Sequence, residues 1–278
     1  LSPATVVRIH ATLRTAVNAA VRARLMPINP ANGAALPRPR RPHPVVWTAG
    51  RTARWRQTGE RPAVAVWTGQ QLAAFLAGIA QDRLYAAWWL AALRGLRRGE
   101  LAGLRRTDVD LQAAEQTVTQ QRVHADGRVM VGPPKSAAGC RVVALDAETV
   151  RVLSRHRERQ EKLSAAAGTR WQDSGYVFTT ADGAPLRPDY LTGRFRRLVT
   201  ASGQPPVRLH DLRHGAATLA LAAHTDLKVV QAMLGHATIV LTADTYVSVL
   251  PEVAHHAAQE TARLVLSTAS ALGQPLGG

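Results

Sequence analysis

Apolar residues recur at helical spacing along most of this 278-residue chain, and residues 116–145 break instead into short alternating runs. That pattern confines the fold to a mainly helical α+β class with one small antiparallel β-sheet. Ser2 before Pro3 reads as an N-cap with proline at the first helical position. Val6, Ile9, Leu13, Val17, Ala20 and Val21 then form a stripe, so residues 3–25 are expected as a helix. Pro27, Asn29-Pro30 and Gly33 end it. One such helix cannot bury its own stripe. Residues 1–41 are therefore expected to belong to a small helical domain that the numbering enters partway. Residues 42–64 read as a basic linker rich in Pro, Arg and Trp, and residues 65–278 as a second domain.

Thr68 with Gln71 is a capping box that opens the second domain, and Leu72, Phe75, Leu76 and Ile79 follow as a core stripe. A second helix runs through Leu84, Trp88 and Ala91 to Gly95, and a short third lies near Arg98 to Leu104. Val118 to Val123, Arg128 to Val131 and Arg141 to Leu145 read as three strands, with turns at Asp126-Gly127 and Ser136 to Gly139. Asp146 caps another helix. Helices are then expected over 189–201, 208–222, 226–234, around 240–249, and over 251–268, within a C-terminal helix and tail at 251–278.

Lys and Arg number 35 against 19 Asp and Glu, a formal charge of +16. So basic a chain points to a polyanion partner, with nucleic acid first. Seven arginines between residues 37 and 61, among them Arg38, Arg40 and Arg41, face one acid, Glu60. This stretch fits either a solvated spacer or a segment that tracks a DNA backbone. No run of eighteen apolar residues exists, which excludes a membrane-spanning helix. A single cysteine, Cys140, excludes a disulfide framework or a cysteine-cluster zinc site and suits the cytosol.

Three local patterns carry chemistry. Gly95-Leu96-Arg97-Arg98-Gly99-Glu100 sets glycines around arginine at a helix start, where backbone N–H groups and a guanidinium can face one anion. Alone, it equally suits an ordinary helix junction. His210 and Arg213 in Leu209-His210-Asp211-Leu212-Arg213-His214 share a helix face at i, i+3. Arginine can hold the non-bridging oxygens of a phosphodiester while histidine moves a proton. His210 and His214 at i, i+4 could also form a zinc pair, although the glutamate of a His-Glu-x-x-His helix is missing. The third pattern is Leu234-Gly235-His236 with Thr242 and Tyr246 downstream. A tyrosine is a poor nucleophile at its ordinary pKa of about 10 and needs cations to stabilise its phenolate.

In this order and at these separations the three patterns resemble the tyrosine recombinase, or phage integrase, family over roughly residues 65–250. Gly95 to Leu101 is similar to the family's first arginine box, His210 to His214 to its His-x-x-Arg box, and Leu234 to Tyr246 to its last box. Pro133-Pro134-Lys135-Ser136 sits where the family keeps a catalytic lysine, and residues 3–30 resemble the end of its core-binding domain. The resemblance implies that Arg97 and Arg213 clamp the scissile phosphate and that Tyr246 attacks it to form a 3′-phosphotyrosine. It implies that His210 assists proton transfer, Lys135 protonates the 5′-oxygen, His236 hydrogen-bonds the phosphate, and Glu100 supports the arginines. No metal or other cofactor is implied.

The expected activity is that of a site-specific DNA recombinase acting on double-stranded DNA, as a homo-oligomer that is tetrameric on paired sites. An accessory directionality factor is a further possible partner. The expected location is cytoplasmic, at the nucleoid. A type IB-like topoisomerase and a catalytically silent DNA-binding regulator on the same fold are the alternatives. Sequence-independent relaxation of supercoils would mark the first, and DNA binding without strand cleavage the second.

Overall fold

The computed structural model describes residues 1–38, 42–125, 127–238, 259 and 261–263. The chain divides into two compact units, Leu1–Pro42 and His43–Gly278. In the first unit, helix α1 (Pro3–Arg22) starts where Ser2 accepts a hydrogen bond from the Thr5 amide, with Pro3 in its first turn. The chain then folds back on α1. The Asn29 side chain donates to the Asn18 side chain at 2.7 Å and to the Arg14 carbonyl at 3.1 Å, and a His10 ring nitrogen lies 2.7 Å from the Ala31 carbonyl oxygen. No α1 residue is buried, and Ile9 and Leu13 of the expected stripe are exposed.

The second unit is helical around small sheets, as the periodicity predicts. Strand β1 (Val45–Val46) and helix α2 (Ala49–Thr58) lead to β2 (Ala65–Val66), which pairs parallel with β1. Helices α3 (Gly69–Gly78), α4 (Tyr85–Leu93) and the short α5 (Arg98–Gly103) follow. Strands β3 (Val109–Asp110), β4 (Glu115–Val118), β5 (Gln121–Ala125), β6 (Arg128–Gly132) and β7 (Arg141–Ala144) come next. The unit continues with α6 (Ala147–Ala167), α7 (Pro188–Ala201), α8 (Leu209–Ala222) and α9 (Leu227–Leu234). Thr68 and Gln71 make the expected capping box on α3, and Asp146 caps α6 through the Glu148 and Thr149 amides. Trp67, Phe75, Trp88 and Phe195 meet ring to ring at the centre, with Trp67–Phe75 centroids 4.7 Å apart. Most of the expected helices around 240–249 and over 251–268 lie outside the described residues. Among the described residues no helix is long and apolar enough to cross a membrane.

Two details differ from the expectation. The strand expected over Val118 to Val123 is two strands. β4 joins an antiparallel β3–β4–β7 sheet, whereas β5 forms a separate hairpin with β6. The chain changes course between them because β5 runs against α5. There Gln120 donates to the Gly103 carbonyl at 2.8 Å, and a Cβ on Gly99 would stand 2.8 Å from the Arg122 carbonyl oxygen.

Residues 43–64, expected as linker, lie within the second unit and carry β1 and α2. Thr48 caps α2 by accepting from the Arg51 amide, and Gly59 at φ +73° ends it. Trp47 is 1% exposed and donates its indole N–H to the Pro206 carbonyl at 3.2 Å, while Trp67 donates to the Pro205 carbonyl at 2.7 Å. The two indoles thus hold adjacent carbonyls at the entrance to α8. Trp47→Ala removes a buried aromatic and its hydrogen bond, so urea denaturation should register a loss of about 3–5 kcal/mol. A loss below about 1 kcal/mol would mean that the segment only spans a distance.

Candidate active site

Three turns converge on the C-terminal end of α9. The first joins α4 to α5. Gly95 has φ +65°, and a Cβ there would come within 2.5 Å of Leu234 Cδ2, so only glycine fits this approach. Arg97 is the N-cap of α5, and Glu100 reaches back to accept from the Arg97 amide at 3.0 Å and from Arg97 Nη1 at 2.7 Å. The second is the start of α8, where Asp211 accepts from the Arg208 amide at 2.9 Å and from its guanidinium at 2.7 Å. This capping fixes the start of α8, whose first two turns carry His210, Arg213 and His214. The third is the end of α9 itself, closed by Gly235 at φ +64° and followed by His236. Gln231 and His236 are bound twice: the His236 amide donates to the Gln231 carbonyl at 3.2 Å, and the Gln231 side chain donates to the His236 carbonyl at 3.0 Å.

Arg213 is 3% exposed and donates to the Gly95 carbonyl at 2.7 Å and to the Leu234 carbonyl. Arg97, a third exposed at its side chain, donates a long 3.4 Å contact to the Gly235 carbonyl. Among the described residues its Nε–H makes no hydrogen bond. Burial lowers the pKa of His210, helped by the charges of Arg213, Arg208 and Arg97. Burial and the neighbouring His210 lower His214 to about 4, and burial with Arg213 and Arg97 lowers His236 to about 3. At neutral pH the three imidazoles are therefore uncharged, each with one donor and one acceptor nitrogen. Burial raises the Glu100 pKa, but the hydrogen bonds and charges of Arg141 and then Arg97 more than offset this, so it lies below the ordinary glutamate value. The arginines Arg97, Arg141, Arg208 and Arg213 exceed Glu100 and Asp211 by two charges. This excess suits an oxyanion that gains charge as it reacts.

Of the residues singled out by sequence, Arg97, Glu100, His210, Arg213 and His236 come together here. Lys135 stands exposed on the neighbouring loop between β6 and β7. That loop abuts the end of α9, since a Cβ on Gly235 would lie 2.5 Å from the Ala138 carbonyl oxygen. Arg38 is exposed in the first unit, and Arg40, Arg41 and Tyr246 lie outside the described residues. The His210 and His214 rings meet edge to face, centroids 5.3 Å apart. Among the described residues no three His, Cys, Asp or Glu side chains gather to hold a metal ion. Sequence reasoning missed Arg141, read only as the start of a strand. Its Nη2 donates to Glu100 Oε2 at 2.9 Å and its Nε to the Met233 carbonyl at 2.7 Å. These partners are 41 and 92 residues away in sequence, so no local pattern marks it.

Residues 68–252 match the model of the phage integrase family. The chain is 30% identical over 193 residues to the ICEBs1 integrase of Bacillus subtilis (strain 168), covering 69% of this chain and 52% of that protein. It is 31% identical over 182 residues to a tyrosine recombinase XerC-like protein of Caldanaerobacter subterraneus subsp. tengcongensis, covering 61% and 46%. The chain spans about half the length of these relatives. Among solved structures, the Tn1549 transposon integrase in complex with circular intermediate DNA aligns with a TM-score of 0.65 at 22% identity, over 94% of this chain and 81% of that one. XerA recombinase aligns with a TM-score of 0.57 at 24% identity, over 73% and 65%. These likenesses identify the fold.

The neutral histidines, His236 buried and His214 half-buried, make stability depend on pH. An unfolded histidine titrates at about 6.5. Above that value folded and unfolded chains are both neutral at these positions, and the contribution is complete. As pH falls towards about 4 for His214 and about 3 for His236, the unfolded chain takes up protons that the folded one refuses. Stability then falls by up to about 1.4 kcal/mol per pH unit for each histidine. His236→Asn should flatten the denaturation free energy between about pH 6 and about pH 4 by up to that slope. An unchanged slope would contradict a neutral, buried His236.

Proposed function

The chain belongs to the phage integrase family, and on that premise we propose that it cleaves and rejoins double-stranded DNA at specific sites through a 3′-phosphotyrosine on Tyr246. The observation that carries this reading is the convergence of Arg97 and Arg213 on the end of α9, beside His210 and His236. In the proposed reaction the two arginines hold the non-bridging oxygens of the scissile phosphate. The Tyr246 oxygen forms a bond to phosphorus as the bond to the 5′-oxygen breaks. His210, neutral at pH 7, accepts the tyrosine proton, and Lys135 gives a proton to the departing oxygen. His236 donates a hydrogen bond to the phosphate. The pentavalent state carries more negative charge than the diester, so fixed cations bind it more tightly than the ground state. The phosphotyrosine conserves the energy of the broken backbone bond, and rejoining runs the same steps in reverse.

Residues 1–41 would form the end of a DNA-clamping domain, with Arg38, Arg40 and Arg41 contacting backbone phosphates. Strand exchange between two sites calls for several copies of the chain, a tetramer on paired sites, with an accessory factor as the source of direction.

Incubating the chain with a pool of nicked, random-sequence duplexes and capturing SDS-resistant adducts tests the reading. The parent chain should yield adducts on a defined sequence. Tyr246→Phe should keep DNA affinity and yield none, because it removes one hydroxyl and no charge. An adduct from Tyr246→Phe would remove Tyr246 as nucleophile.

Lys135 has a separate test. Lys135→Ala should slow cleavage by about 10²- to 10⁴-fold if the lysine is the general acid. Sulfur in place of the 5′-bridging oxygen leaves without a proton. On that substrate Lys135→Ala should recover most of its rate, and Arg97→Ala should not. Equal defects of Lys135→Ala on both substrates would exclude it from proton transfer to the leaving group.

A further inference from the structure

Building on this reading of the site, we infer that Arg141 is a positioning residue: it shares the Glu100 carboxylate with Arg97 and thereby keeps the Arg97 charge available to the phosphate. The Glu100 side chain is 1% exposed and that of Arg141 is 6% exposed. The carboxylate accepts four hydrogen bonds. Arg97 supplies its amide at 3.0 Å to Oε2 and Nη1 at 2.7 Å to Oε1. Arg141 supplies a fork, Nη1 at 3.2 Å to Oε1 and Nη2 at 2.9 Å to Oε2.

The charge balance gives this arrangement its consequence. Arg97 alone with Glu100 is a neutral pair, and a neutral pair holds a phosphate poorly. Arg141 supplies a second cation to the same carboxylate, so the triad keeps one positive charge. Of the two arginines, Arg97 is the more exposed, at 33% against 6% of its side chain. The surplus is therefore presented through Arg97, and Arg141 stays behind it.

Arg141 is itself held on both other sides. Its Nε donates to the Met233 carbonyl at 2.7 Å at the end of α9, and its Nη1 to the Gly139 carbonyl at 3.0 Å in the loop that also carries Lys135. Lysine could not replace it, because one ammonium cannot offer a planar fork to a carboxylate and a third donor to a carbonyl. Among the described residues Glu100 is the carboxylate that Arg141 and Arg97 share, and this makes the inference testable by a second-site change.

The test uses the 278-residue chain and the nicked duplex that the parent selects from the random pool, with Tm, DNA Kd and the single-turnover adduct rate at saturating DNA as readouts. R141M should leave Kd within about threefold and slow adduct formation by about 10²-fold, the scale of a misplaced catalytic group. R141M/E100Q removes the buried anion with its cation and leaves Arg97 its full charge. The double variant should recover at least about tenfold of the lost rate, a non-additivity that simple loss of packing would not produce. An R141M rate within about twofold of the parent, or a double variant as slow as the product of the two single effects, would overturn the inference. If R141M does not fold, R141M/E100Q is compared with E100Q. Rates within about threefold support action through Glu100, and a further drop of about tenfold or more overturns it. Absence of any adduct from the parent would instead reject the phosphotyrosine reading, and this inference with it.

Discussion

The carbonyl groups at the end of α9 are the anchor on which the site depends. A helix leaves its last carbonyls without backbone donors and gathers partial negative charge there. Here the Met233, Leu234 and Gly235 carbonyls accept from Arg141, Arg213 and Arg97 respectively. The three arginines come from three separate stretches of chain, so one helix end draws β7, α8 and the start of α5 to a single point. Each is also tied elsewhere: Arg213 to the Gly95 carbonyl, and Arg97 and Arg141 to Glu100. Cations held in this way need little reorganisation when charge develops beside them. The glycines serve the same approach, since Gly95 and Gly235 let backbone and side chains come closer than a Cβ would allow.

Burial adjusts the chemistry of the groups around this anchor. The arginines keep their charge because their pKa lies far above neutrality, whereas the histidines give theirs up. His210 and His236 are thereby kept neutral beside cations, able to accept or donate one hydrogen bond each. Farther back, Trp47 and Trp67 hold the Pro205 and Pro206 carbonyls and so fix where α8 begins. The segment that precedes the helical core thus bears on the position of His210 and Arg213.

What was legible in the sequence was what short spacing controls. The Thr68–Gln71 capping box, the caps at Ser2 and Asp146, and the boxes around Arg97 and His210 depend on residues three or four apart, and they stand where the sequence puts them. The family and its mainly helical fold followed from such boxes. Features set by distant partners were not legible. Residues 43–64 read as linker because their composition is that of a spacer, yet the bond that seats Trp47 reaches 159 residues along the chain. The break between β4 and β5 is set by close approach to α5, which the alternation of apolar residues does not encode. Arg141 escaped notice for the same reason: in sequence it is one arginine among many, and only folding brings Glu100 and the end of α9 to it.

The account holds that the arginine cluster is assembled before DNA binds. Nitrogen-detected NMR of arginine side chains in the DNA-free protein tests this directly, because a guanidinium held by several partners rotates slowly and shows separate Nη signals. The account predicts separate Nη signals for Arg141 and Arg213 without DNA, and their collapse for Arg141 when Glu100 is replaced by glutamine. Averaged Nη signals for both arginines in the free protein would contradict it.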